Sequence, residues 1–392
     1  SDVYKRQGGT LCTATLNQLS PDTASCSYSY DNALSSPDSV SATYGGDSNY
    51  ATSVSASQNI TVNSDATTTS TPTATDGGNP ANPAVVGEAV TFTSTVADIP
   101  PGSAPPTRSV TFTDANGALC TGSVSSTSPY TASCSHAYTS PQTGDAVTAT
   151  YSGDASHAPS LSGVLTEVVN AAPTNTSVSF SPQSPVVGQT VTLSATVAVL
   201  APGAATPTGT VNFSGNGGTA CSGTLNGQTP DVASCTTTYP AATTGTVTAS
   251  YGGDQNTTGS NGSTQVAVSP AATSTTVTLS PSSPFVGQTV TLTATVAAQA
   301  PGAGTPTGSV TFSDAGGTLC AGTLNQGSPD TASCGTAYNG AATITATYGG
   351  DTNFTGSSGE ANVTVTSGAS TTTLSSSQNP SVTGQPVTDG FC

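Results

Sequence analysis

The sequence predicts an all-β protein that consists of a tandem array of small Greek-key sandwiches. Three observations lead to this prediction. A cysteine-containing stretch and a Tyr-x-Gly-Asp motif return after about 100 residues, apolar residues alternate with threonine inside each unit, and no stretch has convincing helical spacing. A unit of that length is one small domain, so the chain holds several copies of the same domain.

The repeat is visible first in the stretch GGTLCTATLNQLSPDTASC, from Gly8 to Cys26, which returns in three further copies. The first cysteine of each copy lies at positions 12, 120, 221 and 320. The tyrosine of the Tyr-x-Gly-Asp motif lies at positions 44, 151, 251 and 348. A third motif, VVGQTVTL or a close variant, precedes the cysteines in three copies. The motifs keep the same order, so whole domains are repeated.

The order of the motifs sets the domain boundaries that we expect. A partial repeat at 8–64 is followed by complete repeats at 65–170, 171–269 and 270–367, and by the truncated start of a further repeat at 368–392. Residues 1–7 match no position of the repeat, and DVYKRQ back-translates into the end of a transposon adapter used to prepare sequencing libraries. We therefore interpret residues 1–7 as a sequencing-adapter artefact and expect them to lie outside the fold.

Inside each unit the periodicity is that of β-strands. In the fourth repeat, apolar residues alternate with threonine at Val290, Leu292, Ala294 and Val296. Alternation of this kind is typical of a strand with one buried face, and valine and threonine suit a pleated surface. Runs bounded by Gly, Pro, Ser and Asp give about seven strands per unit, and that count at this length predicts a Greek-key sandwich.

The composition excludes several functional classes. Only 6% of the 392 residues are charged, and three Lys and Arg residues against 20 Asp and Glu give a net charge of -17. A nucleic-acid-binding surface needs a basic stripe, which three basic residues cannot form. No run approaches the ~20 apolar residues of a transmembrane helix, so we expect no membrane span within these residues.

Three motifs carry a resemblance to a known family. PTGSVTF at 306–312, VGQTVTLTATV at 286–296 and TATYGGDTNF at 345–354 resemble the bacterial immunoglobulin-like repeat of group 3, and the resemblance extends over nearly all of residues 8–385. It implies seven-stranded immunoglobulin-like sandwiches in a secreted or surface-attached bacterial protein, where such repeats usually serve as a spacer or an adhesive stalk. The paired cysteines depart from the family's usual pattern, and the chain has no Trp to pack on a disulfide as antibody domains do.

The two cysteines of each repeat are predicted to form a disulfide across one hairpin. In the register that sets Cys12 opposite Cys26, Ala14 faces Ala24 and the turn lies near Pro21. Facing residues have Cβ atoms ~4.5–5.5 Å apart, close to the distance that a disulfide spans. The expected pairs are Cys12 with Cys26, Cys120 with Cys134, Cys221 with Cys235, and Cys320 with Cys334.

Other roles for these cysteines fit less well. A zinc site needs about four ligands, whereas three of the four copies offer two cysteines and no histidine. A catalytic thiol needs a neighbouring base, which the same three copies lack. Cys392 is left over in a tail that departs from the repeat, and we treat it as truncation noise. Disulfides persist outside the reducing cytosol, so the pairs indicate an extracellular protein.

An aspartate ends the Tyr-x-Gly-Asp motif in all four copies, and two interpretations of it stay open. It could supply an oxygen ligand to calcium between domains, because Ca²⁺ takes about six to eight oxygens and the chain is acidic. It could instead stabilise the turn between the last two strands as an Asx turn, which we favour because no second acidic residue recurs beside it. These aspartates are Asp47, Asp154, Asp254 and Asp351.

Histidine and glutamate occur too irregularly to form a repeated site. His136 and His157 both belong to the second repeat, and we interpret them as solvated surface residues. Glu88, Glu167 and Glu360 fall at non-equivalent positions and are interpreted as incidental, whereas a glycosidase would need two placed carboxylates. We expect no catalytic, metal-binding or cofactor-binding residue, and no cofactor.

The sequence therefore predicts a non-catalytic structural stalk or adhesive region of a bacterial cell-surface or secreted protein. We expect its partner to be a host, matrix or cell-wall glycan or protein, and not a nucleic acid. The alternative from another class is an accessory repeat region of a large secreted enzyme, such as a polysaccharide hydrolase, whose catalytic domain lies outside these residues. Nothing within the repeats distinguishes the two hypotheses.

Overall fold

The structure is a computed structural model that describes residues 2–6, 9–17, 19–34, 37–76, 79–81, 83–102, 104–218, 220–376, 380, 382–386 and 388–391. By proximity of Cα atoms the chain divides into two compact units. The first consists of residues 1–175, 198–208 and 252–260, and the second of residues 176–197, 209–251 and 261–392. Loops from one end of the third repeat thus belong to the first unit.

All regular elements of the described residues are β-strands, and none of these residues forms a helix long and apolar enough to cross a membrane. The first repeat contains β1 (Asp2–Arg6), β2 (Gly9–Ala14), β3 (Asp38–Tyr44), β4 (Ser53–Val54) and β5 (Gln58–Ile60). The second contains β6 (Thr67–Thr69), β7 (Thr73–Asp76), β8 (Asn79–Pro80), β9 (Ala84–Val85), β10 (Ala89–Asp98), β11 (Ser109–Asp114), β12 (Gly117–Ser123), β13 (Thr131–Ala137), β14 (Gln142–Tyr151), β15 (Ser160–Leu161) and β16 (Leu165–Asn170).

The later repeats have longer and more regular strands. The third contains β17 (Thr174–Ser181), β18 (Thr190–Val199), β19 (Thr210–Gly215), β20 (Cys221–Thr224), β21 (Asp231–Thr238), β22 (Thr243–Gly253) and β23 (Thr258–Val268). The fourth contains β24 (Thr273–Ser280), β25 (Thr289–Ala298), β26 (Ser309–Asp314), β27 (Gly317–Thr323), β28 (Thr331–Ala337), β29 (Ala342–Tyr348) and β30 (Ser357–Val363). The tail adds β31 (Leu374–Ser376) and β32 (Asp389–Phe391).

The strands of the fourth repeat form two sheets. One sheet has the order β24-β25-β28, and the other has the order β27-β26-β29-β30. The chain changes sheet after β25, after β27 and after β28, which gives the Greek-key connection of an immunoglobulin-like sandwich. The third repeat has the same orders, β17-β18-β21 and β20-β19-β22-β23. The predicted all-β class and seven-stranded sandwich are therefore confirmed.

Alternation along the strands builds the core. On β25, Val290, Leu292, Ala294 and Val296 are buried, while the threonines between them are more exposed. In the second repeat the rings of Phe92 and Phe112, from opposite sheets, stack with centroids 6.0 Å apart. The outward faces carry threonine and serine, so the hydrophobic residues of the second, third and fourth repeats concentrate between their two sheets.

Residues 2–6 belong to the first sheet, contrary to the expectation that residues 1–7 lie outside the fold. β1 lies between β2 and β3, with Tyr4 opposite both Cys12 and Ala42. β11 has the same place in the second repeat, where Phe112 lies opposite Cys120. Ladder hydrogen bonds come from the main chain, so a segment of unrelated sequence can complete a sheet. The adapter origin of these residues stays an expectation.

Candidate functional site

The paired cysteines join two sheets, and the hairpin predicted from their spacing is wrong. Cys120 lies on β12, the edge strand of one sheet, and Cys134 lies on β13, the edge strand of the other. β12 pairs with β11 and β13 pairs with β10, so the two cysteine strands share no ladder. The disulfide therefore links sheet edges beside the core and does not cross the core as in antibody domains.

The same bond occurs in every copy of the repeat. In the structure the Cα atoms lie 6.1 Å apart in Cys12–Cys26, 5.9 Å in Cys120–Cys134, 6.1 Å in Cys221–Cys235 and 6.2 Å in Cys320–Cys334. In the second repeat a glycine two residues after the first cysteine lets the edges approach, because a Cβ on Gly122 would overlap the Ser133 carbonyl. Gly223 and Gly322 have the same contact with Ser234 and Ser333. Cys392 lies outside the described residues.

The aspartate of each Tyr-x-Gly-Asp motif is surrounded by hydrogen-bond donors. Asp154 accepts bonds from the Thr107 N–H and hydroxyl at 2.7 Å each, and from the Ser156 N–H at 2.8 Å. Burial acts to raise the pKa of Asp154, but hydrogen bonds from Thr107 and His157 outweigh it and hold the pKa below its ordinary value. Donors occupy the positions that a cation would need, so the Asx-turn interpretation is confirmed.

The threonine that donates to this aspartate was not singled out from the sequence. Thr208 donates its N–H and hydroxyl to Asp254 at 2.7 and 2.6 Å. Thr307 donates in the same way to Asp351 at 2.8 and 2.6 Å. Each threonine follows a proline directly, so the recurrent Pro-Thr dipeptide was the available signal.

His157 is buried, with 2% of its surface exposed, so its interpretation as a solvated residue is wrong. Its Nδ1 lies 2.7 Å from Asp154 Oδ1, and its Nε2 lies 2.9 Å from the Ala104 carbonyl and 3.1 Å from Asp98 Oδ1. A neutral imidazole has only one N–H, whereas both nitrogens here face acceptors. Burial acts to lower the pKa of His157, but Asp154 and Asp98 outweigh it and raise the pKa above its ordinary value.

Two of the glutamates interpreted as incidental belong to a buried group of acids, which we call the carboxylate cluster: Glu88, Asp145 and Glu167. Glu167 is fully buried, lies opposite Asp145 in the ladder, and has no hydrogen-bond partner for either carboxylate oxygen among the described residues. Burial, with the nearby charges of Asp145 and Glu88, raises the pKa of Glu167 to about 7. Tyr138 donates its hydroxyl to Asp145 at 3.0 Å. His136 is half-buried, with its ring edge against Tyr138.

The carboxylate cluster is specific to the second repeat. Val266 and Val363 occupy the position of Glu167 in the third and fourth repeats, and both are buried. Comparison of the copies with each other would have revealed this exchange of a buried valine for glutamate. No group of three or more His, Cys, Asp or Glu residues is placed to hold a metal ion in the part of the chain that the structure describes.

The second and third repeats meet inside the first unit at a glycine. Ala204 donates its N–H to the Val86 carbonyl at 3.2 Å, and Val86 is 2% exposed. Gly87 has a φ of +82°, and a Cβ on it would lie 2.6 Å from the Ala204 nitrogen. Only glycine fits so close an approach. In the third repeat, Asn256 has a buried Oδ1 with no hydrogen-bond partner within the described ranges.

The third and fourth repeats meet in the same way inside the second unit. Ala303 donates its N–H to the Val187 carbonyl at 3.1 Å, and a Cβ on Gly188 would lie 2.7 Å from the Ala303 nitrogen. The Ala242 N–H adds a bond of 2.9 Å to Asn353 Oδ1. Asn353 corresponds to Asn256, but the second repeat has Pro141 in place of Ala242, and proline has no N–H to donate.

Comparison with known proteins identifies the repeat. Residues 178–269 and 277–366 match the family described as bacterial Ig-like domain (group 3). No curated protein sequence matches the chain. Both matched segments lie within the repeats expected at 171–269 and 270–367.

Solved structures with a similar fold include several bacterial adhesins. The Escherichia coli adhesin FdeC is 19% identical over 76% of this chain and 96% of its own, with a TM-score of 0.25. A four-repeat fragment from the extending region of a large adhesion protein is 16% identical over 84% of this chain and 88% of its own, with a TM-score of 0.33. Invasin, a bacterial integrin-binding protein, is 17% identical over 78% of this chain and 61% of its own, with a TM-score of 0.39.

Proposed function

Because residues 178–269 and 277–366 are tandem bacterial Ig-like domains of group 3, we propose that the chain is a non-catalytic structural stalk or adhesive region of a bacterial cell-surface or secreted protein. The observation that carries this proposal is the repeated junction. Ala204 and Ala303, one repeat apart, each donate an N–H to the valine carbonyl of the preceding repeat. A module that offers each successor the same contact suits a chain of domains in series.

The disulfides support an extracellular location. In the second, third and fourth repeats each joins the edges of two sheets in a domain of about 100 residues, a size at which the core alone gives limited stability. Closing a loop of about 15 residues adds ~3 kcal/mol in the chain-entropy model. Disulfides persist outside the reducing cytosol, which agrees with a surface or secreted location. The partner that we propose is a host, matrix or cell-wall glycan or protein.

The test is a deletion of the codons for residues 65–367 from the gene that encodes the chain in its source bacterium. Attachment to host cells, matrix and purified glycans is measured beside hydrolysis of polysaccharides by the culture. We expect attachment to fall and hydrolysis to stay unchanged. Loss of hydrolysis with normal attachment would favour the accessory region of a secreted enzyme and would contradict the proposal.

A replacement variant separates the two forms of the proposal. The deleted residues are replaced by three unrelated Ig-like domains of known inertness, which restore the number of domains but not the surface. Restored attachment would mean that the repeats act as a stalk. Attachment that stays low would mean that the repeats themselves bind. Antibody labelling of intact cells checks that each variant reaches the surface.

A further inference from the structure

The fourth repeat has an exposed apolar surface at the end where the second and third repeats contact their successors. This end surface consists of Phe285, Val286 and Gly287. Phe285 and Val286 are each 55% exposed. Val187, which corresponds to Val286, is 2% exposed under the docked loop of the next repeat. The same valine is thus buried where a following repeat docks and exposed in the fourth repeat.

The occupied copies show what covers this surface. In both of them the covering segment is an Ala-Pro-Gly-Ala loop, at 201–204 and at 300–303. Its last alanine donates an N–H to the valine carbonyl and sits over the glycine that follows. On Gly287 an added Cβ would have nothing within 4 Å, so the place of that alanine is open.

The end surface keeps the conformation of the occupied copies without a partner. Gly287 has a φ of +74°, against +75° for Gly188. Its N–H donates to the Tyr338 carbonyl at 3.0 Å, as that of Gly188 does to Tyr239 at 2.9 Å. The Gln288 side chain accepts from the Phe285 N–H at 2.9 Å, so the loop is held by its own repeat. A preformed surface loses little conformational entropy on docking.

We propose that the end surface is a docking surface for the Ala-Pro-Gly-Ala loop of a further copy of this repeat, with an alanine N–H donated to the Val286 carbonyl. Both sides of this contact are uncharged. The contact consists of one main-chain hydrogen bond and of the alanine packed in the space above the glycine. Gly287 has the backbone conformation that Gly188 uses to receive an alanine. Binding of a glycan or of an unrelated protein would not require that conformation. The occupant that fits is therefore a repeat of the same kind.

The experiment measures how fast a cysteine at position 286 reacts with a maleimide. Two chains carry Val286→Cys together with Cys392→Ser: the chain as given, and a chain in which a second copy of residues 270–367 replaces residues 368–392. We expect labelling at least tenfold slower in the chain with the added copy. Thr289→Cys is the matched control, because positions 289 and 190 are exposed whether or not a repeat docks beside them.

Two further variants define the outcome. Val187→Cys, under a docked loop, should label slowly in both chains, and Ala303→Pro in the added copy alone should restore fast labelling at position 286 because it removes the N–H donor. Equally fast labelling of Val286→Cys in both chains would overturn the proposal. Slow labelling of Val286→Cys in the chain as given would also overturn it, because the end surface would then be covered without the added copy.

Discussion

Where the fourth repeat places Val363 opposite Ala342 in its ladder, the corresponding positions of the second repeat place Glu167 opposite Asp145. Strand β30 buries its valine as completely as β16 buries its glutamate. The disulfide and the Asx turn are the same in both repeats. The sandwich of the second repeat thus holds two carboxyl groups where the fourth has apolar side chains. Burying their negative charge lowers the free energy of unfolding, so the stability of the second repeat should depend on pH.

The loop after the Tyr-x-Gly-Asp motif shows a second exchange of this kind. His157 of the second repeat and Phe354 of the fourth form the same isolated bridge, with Asp65 and Ala271 respectively. Both side chains are buried, yet one is held by two carboxylates and the other by apolar contacts. The backbone fixes the position of the side chain, whereas the type of side chain at that position differs from copy to copy.

The largest expected effect comes from transferring the acid to the fourth repeat. Val363→Glu buries a carboxylate among apolar groups, and it should destabilise that repeat by ~3–5 kcal/mol at pH 8. Hydrogen exchange, followed by peptides unique to each repeat, measures the change. Asn362→Glu, on the exposed face of the same strand, is the control and should have little effect. Equal effects of the two variants would mean that position 363 is not a core position.

The pH dependence of the second repeat is the next effect in size. Its Glu167 pKa of about 7 in the folded state exceeds the ordinary value of 4.5. The folded state therefore binds the proton more tightly, so stability falls as pH rises from 4.5 to 7, by roughly 3 kcal/mol at 1.36 kcal/mol per unit. Glu167→Val should remove most of this fall, whereas the exposed Glu360→Gln should leave the fourth repeat unchanged. A free energy of unfolding of the second repeat that stays constant from pH 4.5 to 7, after correction for the intrinsic exchange rates, would refute this.

The disulfide should matter equally in both repeats. Replacing Cys320 and Cys334 together by Ala should destabilise the fourth repeat by roughly 2–3 kcal/mol, because the unfolded chain loses a constraint. The same change at Cys120 and Cys134 should cost the second repeat as much. Urea unfolding monitored by hydrogen exchange gives both values. A clear inequality would show that the bond acts through the local packing of each repeat and not through the unfolded state.

A smaller effect is expected at His157. His157→Thr introduces the residue of the third repeat, where Thr257 donates its hydroxyl to Asp254 at 2.8 Å. The raised pKa of His157 means that its contribution is complete below pH 6.5 and is lost as pH rises through the folded pKa. The variant should therefore destabilise the second repeat by ~1–2 kcal/mol at pH 6 and by less at pH 9. A loss that grows with pH would contradict the raised pKa of His157.

The smallest effect compares the two junctions. Asn353→Ala removes the acceptor of the Ala242 N–H and should weaken the contact between the third and fourth repeats by ~1 kcal/mol. Asn256→Ala removes a buried oxygen that has no partner in the described part of the chain, so it should cost nothing measurable. Exchange of the Ala242 amide, read by NMR, reports the first change. Similar losses in both variants would show that Asn256 has a partner.

Much of the fold could be predicted because repetition and alternation are properties of the chain itself. The strand with Val290 and Leu292 followed from its period, and the Asx turn at Asp351 followed from Gly-Asp between strands. The sheet to which each cysteine strand belongs could not be predicted, because a hairpin and two adjacent edges both bring residues 14 positions apart together. His157 carried no signal, since burial in a loop depends on residues far away in sequence, such as Asp98.

The junction has a consequence for the gene. The third repeat contains both sides of the junction: the Ala-Pro-Gly-Ala loop at 201–204, and the valine and glycine at 187–188. The fourth repeat contains the same two segments at 300–303 and 286–287. Recombination that duplicates or removes one such unit joins an existing loop to an existing surface. No new contact has to evolve at the junction between the two repeats. The number of repeats can therefore change by unequal exchange between alleles, while each repeat keeps the same contact with its neighbour.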